Sequence, residues 1–309
     1  MMSVSTVAVP AVVHVPEELK APIILFGNFR SGTTMLQKII ARHPDVVAWD
    51  EPVGVWLYAD PKRSHDEFDE SDATPRVKSY VRRKFLEYQR ANNGRRVVEK
   101  TPHNILKISY VRAIFPDARF IYVVRNPLSF VSSVELKWQR PAGNRRIMKR
   151  LWSTPVTQIH HYLPKLISQL WNNKILGRKY LSVWGPRYSG IGSDLKTEPL
   201  VTVIARQWAR STRKAEEDLL RFADDEVLKF RYEDFVESPV RHLERICSHC
   251  DIEMTEEMVD YVKETVSADR QLKWQRFDKK ELAQILPEFA EEMQRNGYEI
   301  PDDIVNAPK

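Results

Sequence analysis

Two cysteines in 309 residues leave no material for a disulfide framework. A Cys-x-x-Cys pair at Cys247 and Cys250, with no second pair, is weak grounds for zinc or redox chemistry, and its helical surroundings predict buried free thiols. Long apolar runs are equally scarce. No stretch approaches the length of a membrane helix, and the apolar segment Met1 to Val15 is short, lacks a positive leader and is broken by Pro10 and Pro16. A cytoplasmic protein without signal peptide, anchor or transmembrane segment is the expectation. There is no internal repeat. Charge is not extreme either: 48 basic against 42 acidic residues give a net +6, which suits phosphate-rich ligands but is too mild to indicate nucleic acid.

The informative stretch is Gly27-Asn28-Phe29-Arg30-Ser31-Gly32-Thr33-Thr34-Met35-Leu36, which follows the apolar run Ile23 to Phe26 and leads into a helical pattern. Strand, tight loop and helix are predicted in that order. Two glycines let the backbone turn sharply and aim successive N–H groups at one point, at the positive end of the next helix. An anion belongs there. The spacing matches the nucleotide-binding P-loop at both glycines and at Thr34, but Thr33 stands where the phosphate-binding lysine belongs, and the strong cation is Arg30 instead. A triphosphate needs that lysine and a metal, whereas a sulfonyl group carries less charge.

Further strands are predicted at Val46 to Trp49, Arg95 to Lys100, Phe120 to Val124 and Val227 to Tyr232, with helices between them, one of which follows Thr101-Pro102 and carries Ile105, Ile108, Val111 and Phe115. The fold class is therefore α/β: a P-loop-like, three-layer fold with a central, mostly parallel sheet. Residues 60 to 75, rich in Asp, Glu, Ser and Pro, read as an exposed loop. Residues 140–199 gather Arg140, Arg145, Arg146, Lys149 and Arg150 with Trp152, Trp171 and Trp184, and read as a helical insertion or cap. Residues 1–20 would be a flexible tail and 21–309 one domain. Asp50-Glu51 and Lys100 would emerge at strand C-termini, the edge where open α/β sheets bind ligands.

The decamer resembles the 5′-phosphosulfate loop of sulfotransferases that use 3′-phosphoadenosine 5′-phosphosulfate (PAPS), in the Arg-Ser-Gly-Thr-Thr form of the carbohydrate and tyrosylprotein branches. Resemblance extends over residues 22–57, 97–138 and 226–252. It implies that Arg125 and Ser133 hold the donor's 3′-phosphate, and that Thr33 and Thr34 donate hydroxyl hydrogen bonds to the 5′-phosphate. Ser31 and Gly32 would contribute mainly backbone N–H groups. Asp50-Glu51-Pro52 resembles the carbohydrate form and makes Glu51 the base, which should then sit in a partly dry pocket that raises its pKa. His103, in Lys100-Thr101-Pro102-His103, resembles the histidine of the small-molecule branch and is the second candidate. Lys100 and Arg30 would stabilise charge at the scissile S–O bond, with no metal required. Arg231 to Asp234 matches a segment read as structural, and Arg270, Lys273 and Arg276 are candidates to close over the 3′-phosphate.

The implied activity is sulfonyl transfer to a hydroxyl acceptor, either a carbohydrate or a small-molecule alcohol, its choice residing in the 140–199 region. Two alternatives stand beside it: a P-loop kinase or nucleoside triphosphatase, supported by the apolar strand ending at Asp50-Glu51, and a non-enzymatic anion- or nucleic-acid-binding protein. Oligomeric state is left open.

Overall fold

The computed structural model describes residues 18–138, 185–267 and 273–306. Most of the expected tail, residues 140–184 of the expected insertion, and Arg270 lie outside them. Five strands, β1 (Ile23–Gly27), β2 (Val46–Asp50), β3 (Arg96–Lys100), β4 (Arg119–Val124) and β5 (Val227–Arg231), form one sheet in the order β2-β3-β1-β4-β5. Every pairing is parallel.

The central position of β1 follows from its sequence. Ile23 to Phe26 are all buried, and only a strand covered on both faces tolerates an unbroken apolar run. Alternate residues supply two cores, because successive strand side chains point to opposite faces. Ile24 and Phe26 join one core, with Phe120, Tyr122 and the helices α3 (Pro75–Ala91), α4 (Ile108–Ile114) and α7 (Leu200–Leu219). Ile23 and Leu25 join the other, with α1 (Thr33–Ile40), α9 (Pro239–Cys250) and α10 (Glu256–Thr265). The result is helix, sheet, helix. Cys247 and Cys250 are free and buried in the second core, where burial pushes their thiols up to about 11 and about 12.

Register brings Asp50 level with Lys100, Lys100 level with Leu25, and Gly27 level with Val123. All the chemistry-bearing strand ends therefore face one edge. β1 lies between β3 and β4, so chain connections leave it in opposite directions there, which opens a crevice at that edge.

Two local expectations need correction. The helix expected to run through Ile105 and Ile108 is a 3₁₀ turn, Pro102–Leu106, and then α4, divided at Lys107 with φ −152°. The division is tertiary in origin: Ser109 N–H, in the first turn of α4, donates to Asp218 Oδ2 of α7 at 3.0 Å. The 60–75 stretch is not simply exposed, because Asp66, Phe68 and Ala73 are buried. It also closes a capping box at Asp69 around Glu70–Asp72, while Arg63 grips Asp72 with two nitrogens at 2.9 and 2.8 Å.

The short helices α2 (Val53–Trp56), α6 (Ile191–Thr197), α8 (Tyr232–Glu237) and α12 (Asp302–Val305) and the longer α5 (Pro127–Trp138) and α11 (Lys279–Arg295) complete the described chain. Asn126 caps α5 as its sequence predicts, its Oδ1 accepting from Leu128 N–H at 2.9 Å. Among the described residues, no helix is long and apolar enough to cross a membrane.

Candidate active site

The loop from β1 to α1 is held by contacts that only glycine permits. A Cβ on Gly27 would lie 2.8 Å from Val123 O, so the loop leaves the sheet in close approach to β4. Gly32 caps α1 at φ +85°, and a Cβ there would lie 2.5 Å from the Tyr232 ring. Arg30 also has positive φ, 70°, which turns the chain without a glycine. No side chain caps the N-terminus of α1 and no acidic residue sits in its first turn. The helix dipole and its first N–H groups therefore remain for an anion.

Two anion sites expected separately from the sequence are contiguous. Arg30 Nε donates to Ser133 Oγ of α5 at 3.0 Å, and Arg125 Nη1 donates to the Arg30 carbonyl. Arg125 is nearly buried at the end of β4, with its guanidinium 4.6 Å from the centre of the Tyr232 ring. Trp208 Nε1 of α7 fixes the Arg125 carbonyl at 3.1 Å. Arg125 Nε and Ser31 Oγ are both buried without a hydrogen-bond partner, two polar atoms at the loop that a bound anion would satisfy. Thr33 is buried and Thr34 exposed.

One strand further along the edge, Lys100 Nζ meets Glu51 Oε1 at 2.6 Å, with Asp50 Oδ1 at 4.0 Å. Lys100 is almost entirely covered while Glu51 retains 43% of its side-chain exposure, so the dry pocket expected for Glu51 is not formed by the described residues. Glu51 has φ 51°, a left-handed conformation that turns the chain at the end of β2. The desolvated carboxyl is instead Glu99, next to Lys100 on β3 and opposite Trp49 of β2. Glu99 is fully buried, burial pushes its pKa up to about 7, and its oxygens accept from Thr101 Oγ1 and, at 3.3 Å, from Asn104 Nδ2. His103 Nδ1 faces Asp66 Oδ2 at 2.7 Å, and Asp66 is bound in turn by Arg187.

Arg30, Ser31, Gly32, Thr33, Thr34, Arg125 and Ser133 thus gather where β1 and β4 end, and Glu51, Lys100 and His103 lie at the same sheet edge, just after β2, at the end of β3 and in the turn after it. Sequence reasoning missed Tyr232, whose segment was read as structural, and Asp66, Glu99 and Arg187. Tyr232 had one legible signal: an aromatic residue directly after the last strand, at the ligand-binding edge. Asp66 and Arg187 had none, since their pairing spans 121 residues. The side chains of Lys273 and Arg276 are outside the described residues, although residues Lys273–Arg276 form a 3₁₀ turn.

Comparison with known proteins places the fold and the sequence. The nodulation protein NoeE of Sinorhizobium fredii is 26% identical over 142 residues, covering 40% of this chain and 34% of that protein. Protein-tyrosine sulfotransferase 1 of Danio rerio is 27% identical over 124 residues, covering 37% of this chain and 35% of its own. The matched region spans about a third of each of these curated relatives. Among solved structures, the sulfotransferase domain from the curacin biosynthetic pathway superposes with a TM-score of 0.53 at 16% identity, over 92% of this chain and 100% of that one, a likeness of fold. The sequence profile of the sulfotransferase family matches residues 22–165 and 178–256, most of the chain, and the chain belongs to that family.

Proposed function

We propose that this chain, as one domain over residues 21–309, transfers a sulfonyl group from PAPS to a hydroxyl on a carbohydrate or a small-molecule alcohol. The observation that carries the reading is the contact of Arg30 with both Ser133 and Arg125 above the uncapped start of α1. Two phosphate-binding clusters in one crevice suit a donor with phosphate at both ends of its ribose. Family membership and Thr33 in place of the P-loop lysine both favour it over a kinase.

When bound, the donor supplies an activated sulfonyl group; the rest falls to the chain. The N–H groups of Gly32, Thr33 and Thr34, the Thr33 and Thr34 hydroxyls and Arg30 hold the 5′-phosphosulfate, and buried Ser31 Oγ adds a donor. Arg125 and Ser133 hold the 3′-phosphate, with Arg125 steadied on Tyr232. Lys100 and Arg30 neutralise charge that develops on the leaving oxygen. Glu51 takes the acceptor's proton, with an acceptor seated over it supplying the missing cover; His103 is the second candidate. None of these roles calls on a metal.

Calorimetric titration with 3′-phosphoadenosine 5′-phosphate (PAP) in EDTA tests the reading. Micromolar binding that weakens about tenfold or more in Arg125→Ala, with AMP and ATP much poorer, is the expected result. Equal or tighter binding of ATP would restore the kinase reading.

A further inference from the structure

Within the loop between β2 and α3, one carboxylate is completely hidden. Asp66 Oδ2 lies 2.7 Å from His103 Nδ1, and Arg187 donates from Nη2 to Oδ1 at 2.7 Å and from Nε to Oδ2 at 3.2 Å. The main chains interlock as well: Arg187 N–H donates to Asp66 Oδ2 at 2.8 Å, and Asp66 N–H donates to the Arg187 carbonyl at 2.7 Å. Three segments distant in sequence therefore share one carboxylate. They are the loop after β2, the turn after Lys100, and the chain that leads into α6.

A fully buried carboxylate persists only when its partners repay its lost hydration. Burial pushes the Asp66 carboxyl up, but its contacts with His103 and Arg187 outweigh it and hold the group well below the usual carboxylate range. The Asp66 carboxylate is thus the acceptor in each of its side-chain bonds. Lys107, buried with no hydrogen-bond partner for Nζ, lies in the same field, along with Glu99 and Arg63. A carboxylate against Nδ1 keeps the proton on that nitrogen and leaves the lone pair of the neutral ring on Nε2. Among the described residues, Nε2 has no partner.

We propose that Asp66 is a positioning residue for the acceptor side of the site: it holds His103 in the Nδ1–H form, so that Nε2 is a fixed hydrogen-bond acceptor for the incoming hydroxyl, three residues beyond Lys100. This rests on the sulfonyl-transfer reading, in which Glu51 remains the proton acceptor. The arrangement favours a substrate that presents O–H at that point, because Nε2 of the neutral ring can accept but not donate.

The test is long-range proton–nitrogen NMR of the full chain labelled with ¹⁵N-histidine, at pH 8, with the His103 signals identified by their loss in His103→Gln. The expected spectrum shows His103 with a protonated Nδ1 and a bare Nε2. Asp66→Ala is expected to move the ring to a mixture or to the Nε2–H form. An Nε2–H ring in the native protein overturns the proposal, and that measurement needs no variant to fold. An unchanged tautomer in folded Asp66→Ala overturns it equally. PAP titration of the same native sample separates the two readings. PAP binding beside an Nε2–H ring removes the positioning role alone, whereas an Nδ1–H ring with no PAP binding removes sulfonyl transfer and with it the purpose assigned to the ring.

Discussion

Lys100 and Glu51 meet because strand register places Asp50 opposite Lys100 and the chain then turns at Glu51 through a left-handed residue. Neither half of that contact is visible in the other's local sequence. The pair differs in exposure, and the difference assigns separate effects to each. In the proposed reaction Lys100→Ala removes a covered cation beside the reacting centre, so kcat should fall on the order of 10²- to 10³-fold on a hydroxyl acceptor that the native protein turns over. Glu51→Gln removes only the proposed proton acceptor. It should lower kcat about 10²- to 10⁴-fold while PAP affinity stays within roughly threefold. Steady-state kinetics beside calorimetry checks both, and a Glu51→Gln enzyme of native kcat would transfer the base role to His103.

At the scale of elements, most boundaries follow from local signals. Asn126-Pro127 starts α5 as a cap and a first helical residue should, and Pro239 opens α9. The interruption at Lys107 does not follow from anything local, because Ile105, Ile108, Val111 and Phe115 keep helical spacing straight through it. Asp218, on a helix more than a hundred residues later, receives the Ser109 N–H and supplies a cap that the sequence around α4 lacks. Asp218→Ala should therefore destabilise the fold by about 1–2 kcal/mol, read from urea denaturation at unchanged m-value. An effect below roughly 0.3 kcal/mol would show that solvent or another group replaces the cap.

At the scale of the whole molecule, the buried carboxyl of Glu99 couples folding to pH. Its pKa is raised from 4.5 to about 7 in the fold, so between those values the folded state binds more protons than the unfolded chain, and stability falls as pH rises. Below 4.5 both states are protonated and the loss is absent; above about 7 it is complete. Native protein should lose on the order of 2–3 kcal/mol relative to Glu99→Gln between these limits, measured as paired urea midpoints across pH. A difference that is flat with pH would mean that Thr101 and Asn104 compensate the buried charge.

The α/β class, the parallel sheet and the glycine loop between β1 and α1 were legible because each depends on neighbours in sequence: apolar runs that demand two covered faces, glycines that permit a turn, and caps within three residues of what they cap. Motif spacing likewise carried Arg30, Arg125 and Ser133, which the fold gathers into one crevice. Tertiary structure alone decided that Tyr232 underlies both Gly32 and Arg125, that Lys100 spends its charge on Glu51, and that Asp66 lies under His103 instead of in solvent. A buried polar group needs a partner but does not specify its distance along the chain, so these contacts became definite only when the sheet set five strand ends side by side.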